Sequence, residues 1–252
     1  MSERVGLFVA GVQKAGTTSL DAYLRQHPAL AAPSVKETHF FDDEALTWED
    51  PPYERLHAFY PPARAGVMRF EATPISSFWP PALARIRRYN PQARIILLLR
   101  DPIERAWSHW SMEVHRGTET LSFSDAITVE PARLKGAPLG PAWRDQSYVE
   151  RGFYLGQVRR ALLLFPDTQL LFLESRALAA DPAGTLARIA AFAGIDAFPP
   201  VSPRRERANP FPHRVPQPRD VARLRELFAP DTRAAVALAD IDAAHWPTLA
   251  AG

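Results

Sequence analysis

Three short segments of this chain carry side chains suited to binding an anion or moving a proton. The first is a glycine-containing loop, GVQKAGTT, at residues 11–18, and the second is KETH at residues 36–39. The third, RDPIERAWS, occupies residues 100–108 and follows a run of five apolar residues. Glycine-containing loops at helix starts bind phosphate, and a carboxylate near an imidazole suits general acid–base chemistry. The elements that hold these segments decide whether they form a site.

The loop at residues 11–18 has the glycine spacing of a Walker A loop but not its lysine. The lysine is Lys14, before Gly16, and Thr17 stands where the Walker A lysine belongs. Only three of the 30 basic residues are lysines, and a lysine is a compact point charge that fits a single oxygen. The alternative is an ordinary strand-to-helix turn with a solvated lysine. The predicted phosphate-binding residues are Lys14, Ala15, Gly16, Thr17, Thr18 and Ser19.

Short apolar runs alternate with helical patterns along the chain. The predicted strands are Val5–Ala10, Val67–Ala72, Arg94–Arg100 and Gln169–Leu173. The predicted helices are Thr17–Gln26, Pro81–Tyr89, Ile103–His115, Tyr154–Phe165, 182–194 and Val221–Leu238. This alternation predicts an α/β, P-loop-like fold with a central parallel sheet of about five strands and helices on both faces. No repeat or shift of composition marks a boundary, so residues 1–252 are predicted to form a single domain.

Two regions lack the clear hydrophobic period of a helix or strand. Thr118–Asp145 is rich in turn residues, and Phe198–Arg219 contains seven prolines. Both are predicted to be surface loops around a site or lids.

Composition excludes several classes of protein and site. Because there is no cysteine, the chain has no disulfide, no thiolate metal site and no cysteine nucleophile. No apolar stretch approaches the roughly 18 residues of a membrane span and no targeting segment is visible, so the expected location is the cytoplasm. The 28 acidic residues are interspersed among the basic ones and leave a net charge of +2, so no nucleic-acid partner is expected.

The three segments together resemble the motifs of sulfotransferases that use 3′-phosphoadenosine 5′-phosphosulfate (PAPS). The loop at residues 11–18 is similar to their 5′-phosphosulfate loop, and KETHFF at residues 36–41 resembles the Lys-Glu-x-His-Phe-Phe segment of the heparan-sulfate type. Residues 100–108 match the pattern R-[DN]-P-x-x-R-x-x-S at every fixed position. EATP at residues 71–74 and RGFY at residues 151–154 resemble an acceptor-side segment and the R-G-x-Y element of the same family.

The resemblance implies in-line transfer of the PAPS sulfuryl group to a hydroxyl of a carbohydrate, lipid or small-metabolite acceptor. An amine is the second choice of acceptor group, the product is 3′-phosphoadenosine 5′-phosphate (PAP), and no metal is implied. Glu37 would be the general base, and Lys36 would act with Lys14 on the leaving phosphate. His39 would orient the acceptor or would itself be the base, as a histidine is in the steroid and phenol type.

The resemblance also implies a set of residues for the 3′-phosphate of the nucleotide. Arg100 and Ser108 are the members of that set, and Arg100 follows a predicted strand at the end where open α/β sheets bind ligands. Arg205 and Arg207 belong to a C-terminal arginine- and proline-rich loop that falls where these enzymes close over PAPS.

Two other function classes compete with this prediction. A P-loop kinase or NTPase would hold magnesium with Thr17 or Thr18 and Asp101, but the lysine it needs after Gly16 is missing. A polyanion-binding module is suggested by a pI of about 9.1 and by the abundance of arginine. The arginines form no long basic run, however, so an ordinary solvated surface explains them.

Overall fold

The sheet at the centre of this protein has five parallel strands. The computed structural model describes residues 3–201 and 215–250, and the strands in these ranges are β1 (Val5–Gly11), β2 (Leu30–Ala31), β3 (Met68–Glu71), β4 (Arg94–Leu99) and β5 (Leu170–Glu174). They lie in the order β2-β3-β1-β4-β5, and every neighbouring pair is parallel. The carboxyl ends of all five strands therefore share one edge of the sheet.

Ten α-helices accompany the sheet within the described ranges. They are α1 (Thr17–Leu24), α2 (Tyr53–His57), α3 (Ala82–Tyr89), α4 (Pro102–Arg116), α5 (Phe123–Leu134), α6 (Pro141–Asp145), α7 (Leu155–Leu164), α8 (Ser175–Ala180), α9 (Pro182–Ala193) and α10 (Pro218–Leu238). The connection through α1 runs outward from β1 to β2, and the connection through α3 runs the opposite way, from β3 to β4. Because crossovers between parallel strands are right-handed, opposite directions place helices on both faces. The predicted α/β fold is confirmed.

β1 and β4 form the apolar centre of the sheet. All residues of β4 after Arg94 are buried, as are six of the seven residues of β1. A strand that has partners on both edges and helices on both faces needs no polar side, which explains the uninterrupted apolar run Ile95–Leu99. Truncating one of these side chains, as in Ile96→Ala, costs roughly 2–5 kcal/mol of unfolding free energy.

The described residues fall into two compact units. The first unit combines the chain up to Leu99 with a segment that begins at Arg159, and it contains the whole sheet. The second unit combines Arg100–Val158 with the C-terminal segment. The single domain over residues 1–252 stays a prediction. In the part of the chain that the structure describes, no helix has the length and apolar character needed to cross a bilayer.

The region Thr118–Asp145 is largely helical, so the prediction of a loop there was wrong. Helix α5 begins after Ser122, whose hydroxyl oxygen accepts a hydrogen bond from the Asp125 N–H. Its buried side consists of Phe123, Ala126, Ile127, Glu130 and Leu134, which have helical spacing. Because the carboxylate of Glu130 fills an inward position and Pro131 follows it, the apolar period is interrupted although the helix is not. Most of Phe198–Arg219 lies outside the described residues.

Candidate active site

The loop after β1 leaves no room for a side chain at Gly11. A Cβ atom there would lie 2.4 Å from the Ser77 hydroxyl oxygen. Two backbone hydrogen bonds hold the flanking residues, from the Val12 N–H to the Leu98 carbonyl at 2.9 Å and from the Ser77 N–H to the Ala10 carbonyl at 2.8 Å. The glycine thus allows the loop to start tightly against neighbouring backbone at the carboxyl edge of the sheet.

The turn into α1 uses left-handed backbone at two positions. Lys14 has φ of 72° and Gly16 has φ of 96°. Gly16 is the N-cap residue of α1 and has no side chain to cap the helix, and the first turn carries no acidic residue. Leu20 donates to the Gly16 carbonyl at 3.0 Å, so the amides at residues 17–19 precede the first bond of the helix. These amides and the positive end of the helix dipole suit a bound anion.

The side chains of Lys36, Glu37 and His39 lie together. The Lys36 ammonium donates a hydrogen bond to Glu37 Oε1, and His39 Nε2 lies 3.6 Å from Glu37 Oε2. A residue without a predicted role completes the cluster, because His39 Nδ1 lies 2.8 Å from Asp42 Oδ2. The carboxylate of Asp42 is fully buried, and as an acceptor it places the ring proton on Nδ1. The spacing of three residues between His39 and Asp42 is the sequence signal that could have revealed this pair.

The backbone is strained at three predicted site residues, in a way that ordinary loops avoid. Four non-glycine residues of the described ranges have positive φ, and three of them are predicted site residues: Lys14, Glu37 at 62° and His39 at 52°. Such conformations cost of order 1–3 kcal/mol each and persist where the surroundings impose them. They concentrate at functional sites, which supports the choice of these residues.

The residues after His39 anchor the cluster to the core of the first unit. Phe40 and Phe41 are 5% and 2% exposed, and the Phe41 ring packs edge-on against Phe8 of β1 at 5.7 Å. Arg85 on α3 donates to the Phe41 carbonyl at 3.0 Å and binds the Glu44 carboxylate through two nitrogens at 2.8 Å. The apolar part of the KETHFF motif thus fixes the polar part.

The segment at residues 71–74 contributes a buried acid to the same unit. Glu71 ends β3, and its carboxylate accepts hydrogen bonds from Thr38 at 3.2 Å and from the Thr73 hydroxyl. Burial raises the pKa of Glu71 to about 7, and the hydrogen bonds from Thr73 and Thr38 oppose that rise. This acid therefore titrates near neutral pH beside the KETH residues.

Arg100 and Ser108 belong to the second unit, at the start of α4. Asp101 caps this helix, since its Oδ1 accepts hydrogen bonds from the N–H groups of Ile103 at 2.9 Å and Glu104 at 3.0 Å. Arg100 Nε lies 3.2 Å from Glu104 Oε2. Residues 104 and 108 are four apart on the helix, so Glu104 and the half-buried Ser108 share one face. Arg100 is about one-third exposed, so a charged ligand group can reach its guanidinium.

The RGFY element at residues 151–154 supports the start of α4 from within the second unit. The Tyr154 hydroxyl donates to the Arg100 carbonyl at 2.8 Å. Arg105, the second arginine of the R-[DN]-P-x-x-R-x-x-S match, is fully buried and donates to the Tyr148 carbonyl. Burial also lowers the pKa of Arg151, to about 9. Arg105 and Arg151 are therefore interior residues of this unit, and Arg100 is the accessible arginine of the motif.

Two of the predicted nucleotide-binding residues, Arg205 and Arg207, lie outside the described residues. Within residues 3–201 and 215–250, no group of three or more His, Asp or Glu side chains is arranged to hold a metal ion. Independence of metal stays a prediction that activity measurements must test.

Comparison with known proteins identifies the family of this chain. A family model described as the sulfotransferase domain matches residues 6–207. Human heparan sulfate glucosamine 3-O-sulfotransferase 3B1 is 34% identical over 191 residues, which are 74% of this chain and 45% of that protein. A crystal structure of a sulfotransferase from Alicyclobacillus acidocaldarius matches with a TM-score of 0.82 at 28% identity and covers 96% of this chain and 98% of that chain. The chain belongs to the sulfotransferase family.

The curated relatives are longer than this chain. The match covers 45% of the human 3-O-sulfotransferase 3B1 and 43% of the human 3-O-sulfotransferase 3A1, which is also 34% identical. Human bifunctional heparan sulfate N-deacetylase/N-sulfotransferase 3 is 29% identical over 196 residues, which are 22% of its length. The chain spans about half the length of the first two relatives.

Proposed function

We propose that this chain transfers a sulfuryl group from PAPS to a hydroxyl group of a carbohydrate. The observation that carries the proposal is the cluster of Lys36, Glu37 and His39, in which a cation, an accessible carboxylate and an oriented imidazole lie within reach of one another. Membership of the sulfotransferase family supports the reaction type. The relatives at 34% identity are named as 3-O-sulfotransferases of a glucosamine, which supports a carbohydrate hydroxyl over an amine.

The loop from Lys14 to Ser19 is the proposed site for the 5′-phosphosulfate. Its residues fit a phosphate because Gly16 leaves the start of α1 uncapped and Lys14 supplies a cation two residues earlier. PAPS supplies the sulfuryl group when it is bound, and PAP is the product.

Glu37 takes the proton from the acceptor hydroxyl. The acceptor oxygen then bonds to sulfur while the bond from sulfur to the bridging oxygen of the 5′-phosphate breaks, and the electron pair stays on that phosphate. Lys14 and Lys36 stabilise the charge that develops there. His39, whose ring is oriented by Asp42, hydrogen-bonds the acceptor.

Arg100 and Ser108 are proposed to bind the 3′-phosphate of the nucleotide. An arginine suits this role because its planar guanidinium binds phosphate oxygens in pairs. Arg100 pairs with Glu104 in the structure, so binding requires that it exchange this carboxylate for the phosphate or bind both. Arg205 and Arg207 stay predicted PAPS-binding residues of the C-terminal loop, and the cytoplasmic location also stays a prediction.

A P-loop kinase or NTPase is not favoured. Thr17 follows Gly16, so the lysine that such enzymes place on the β- and γ-phosphates has no counterpart there. The family model and the relatives all belong to sulfotransferases.

A thermal-shift titration with adenosine nucleotides tests the proposal before any acceptor is known. We expect PAP to raise the melting temperature far more than ADP, AMP or ATP with magnesium, because a ligand stabilises the native state according to its affinity. Arg100→Ala should weaken PAP binding by roughly one to two orders of magnitude and remove the preference for the 3′-phosphate. Equal stabilisation by ATP that depends on magnesium would contradict the sulfotransferase proposal and favour a kinase.

A further inference from the structure

The carboxylate of Glu71 is buried next to the KETH residues. Glu71 ends β3 and is 2% exposed. A single oxygen, Oε1, accepts the Thr38 N–H at 3.2 Å, the Thr38 hydroxyl at 3.2 Å and the Thr73 hydroxyl. Both hydrogen-bond donors of Thr38 therefore bind this one buried atom.

Thr38 lies between the two candidates for the general base. Glu37 and His39, on either side of it, both have left-handed backbone, with φ of 62° and 52°. A segment with two strained non-glycine residues keeps its shape only if contacts impose that shape. The bonds from Thr38 to Glu71 join this segment directly to β3, which pairs with β1.

Ionising an acid at this position is costly. Burial raises the pKa of Glu71 to about 7, and the neighbouring Asp42 carboxylate raises it further. The buried phenol of Tyr60 also lies near this acid, since its hydroxyl donates to the carbonyl of Phe70 at 2.9 Å. Burial raises the pKa of Tyr60, and the Glu71 carboxylate raises it further. The groups facing Glu71 are thus two threonines, a second acid and a phenol. An acid that is costly to ionise, in contact with the residue between the two candidate bases, is typical of a functional role.

We propose that Glu71 is a positioning residue for sulfuryl transfer: its ionised carboxylate fixes Thr38 and thereby aims Glu37 and His39 at the acceptor. The inference rests on the proposed function, because it assigns Glu71 a part in that reaction. Glu71 acts through Thr38 and touches neither PAPS nor the acceptor. Its protonation weakens Oε1 as an acceptor, so the KETH residues lose their support as the pH falls through neutrality.

The Glu71→Gln variant removes the charge and keeps the size of the side chain. At pH 8 we expect kcat, measured as PAP released from PAPS, to fall about tenfold, while the PAP dissociation constant changes less than about twofold. The melting temperature at pH 8 should stay the same or rise, since the variant no longer buries a charge. Thr38→Val, which loses the hydroxyl but keeps the N–H, should lower kcat by a smaller factor.

Glu174→Gln is the matched control. Glu174 is the last residue of β5, as Glu71 is of β3, and its carboxylate accepts the Ala177 N–H at 2.8 Å. We expect its kcat to equal that of the wild-type protein.

An NMR titration tests the contact without any turnover. The amide resonance of Thr38 should shift with an apparent pKa near 7 in the wild-type protein, and this titration should vanish in Glu71→Gln. When kcat is plotted against pH, the decline on the acid side that follows the same pKa should also disappear in Glu71→Gln.

Each outcome separates this inference from the proposed function. If the wild-type protein neither binds PAP nor consumes PAPS, the proposed function fails, and the inference that depends on it falls with it. If wild-type turnover is normal and Glu71→Gln retains it, only the inference is overturned. It is also overturned if the Thr38 amide does not titrate, or if the variant loses turnover, PAP binding and melting temperature together, because that pattern means a structural role.

Discussion

Two carboxylates flank the imidazole of His39, and they differ in access. Asp42 is fully buried and bonds Nδ1, whereas Glu37 is 29% exposed and lies 3.6 Å from Nε2. Only the accessible carboxylate can reach a hydroxyl on a bound acceptor. The buried one sets the tautomer and orientation of the ring, as an aspartate does beside many catalytic histidines. This difference supports Glu37 as the base and His39 as the group that orients the acceptor.

Glu37→Gln tests that assignment. The amide keeps the size of the side chain but cannot take a proton, so transfer should fall by roughly 10²–10⁴-fold while PAP binding is retained. His39→Ala should chiefly raise KM for the acceptor. Both variants are to be compared by steady-state kinetics, once a screen of sugars, phenols and lipid alcohols has given a working acceptor. Turnover that survives Glu37→Gln and is lost in His39→Ala would make the histidine the base.

Lys14 should act mainly on the transition state, because the charge that it faces grows as the sulfur–oxygen bond breaks. Lys14→Ala should therefore lower kcat by a much larger factor than it weakens PAPS binding. Lys14→Arg should also be poor, since the guanidinium fork does not replace a point charge. Lys135→Ala, which removes the exposed lysine after α5, is the control. Equal losses in kcat and in PAPS affinity would mean that Lys14 only binds the ground state.

The reaction is also expected to need no metal ion. Loss of wild-type turnover in excess EDTA would contradict that expectation.

The start of α4 is fixed by several independent contacts within the second unit. Asp101 caps the helix with Oδ1 and accepts the Thr248 N–H on Oδ2 at 2.8 Å. The Tyr154 hydroxyl bonds the Arg100 carbonyl, and Gly152 packs so closely that a Cβ atom would lie 2.5 Å from the Phe228 ring. These contacts explain why an R-G-x-Y element accompanies the arginine motif: it holds the backbone from which Arg100 projects.

Tyr154→Phe isolates that support. Removing one hydrogen bond to the Arg100 carbonyl should weaken PAP binding about three- to tenfold, as measured by calorimetry. AMP, which lacks the 3′-phosphate, should bind as it does to the wild-type protein. Tyr148→Phe is the matched control, because that hydroxyl bonds Glu119 at 3.1 Å instead. An equal loss of PAP affinity in both variants would show a general loosening of the unit and contradict a specific support of Arg100.

Each of the two compact units buries an acid that titrates near neutrality. Glu71 lies in the first unit and Glu130 in the second, and burial raises the pKa of each to about 7 from 4.5. Glu130 accepts the N–H groups of Val149 and Glu150, both at 2.7 Å, just as Glu71 accepts that of Thr38. Glu71 thus supports the KETH segment, and Glu130 supports the two residues that precede the RGFY element.

These acids should make the protein less stable as the pH rises from about 4.5 to about 7. In that window the unfolded chain has released the two protons and the native protein still holds them, so the unfolding free energy falls, by up to about 3 kcal/mol per group. Urea unfolding at pH 4.5, 6 and 8 measures this trend, which should flatten in Glu71→Gln and Glu130→Gln. Glu226→Gln, on the exposed side of α10, should follow the wild-type curve. A wild-type slope that is unchanged in both buried variants would contradict the assignment.

Local sequence patterns predicted four of the five strands and most of the long helices, and the three motifs are read directly from the sequence. These features are readable because each depends on residues that are neighbours in the chain: an apolar run such as Ile95–Leu99, a glycine spacing such as Gly11 and Gly16, or the cluster KETH. The two-residue strand β2 was not predicted, since it exists only through its pairing with β3. Helix α5 was missed because Glu130 fills an inward position, and a buried acid looks in sequence like a surface acid.

The motif resemblance pointed to the segments that contain Glu71 and Tyr154, but the contacts of these two residues came from tertiary structure alone. Glu71 reaches Thr38 across 33 residues of chain, and Tyr154 reaches Arg100 across 54, so no local spacing announces either contact. Burial also separates residues that look alike in sequence: Arg105 is enclosed in the second unit, whereas Arg100, five residues earlier, is partly exposed. Which polar side chains are buried, and against which partners, follows from how distant segments pack, because hydrogen bonds and desolvation depend on distance in space and not along the chain.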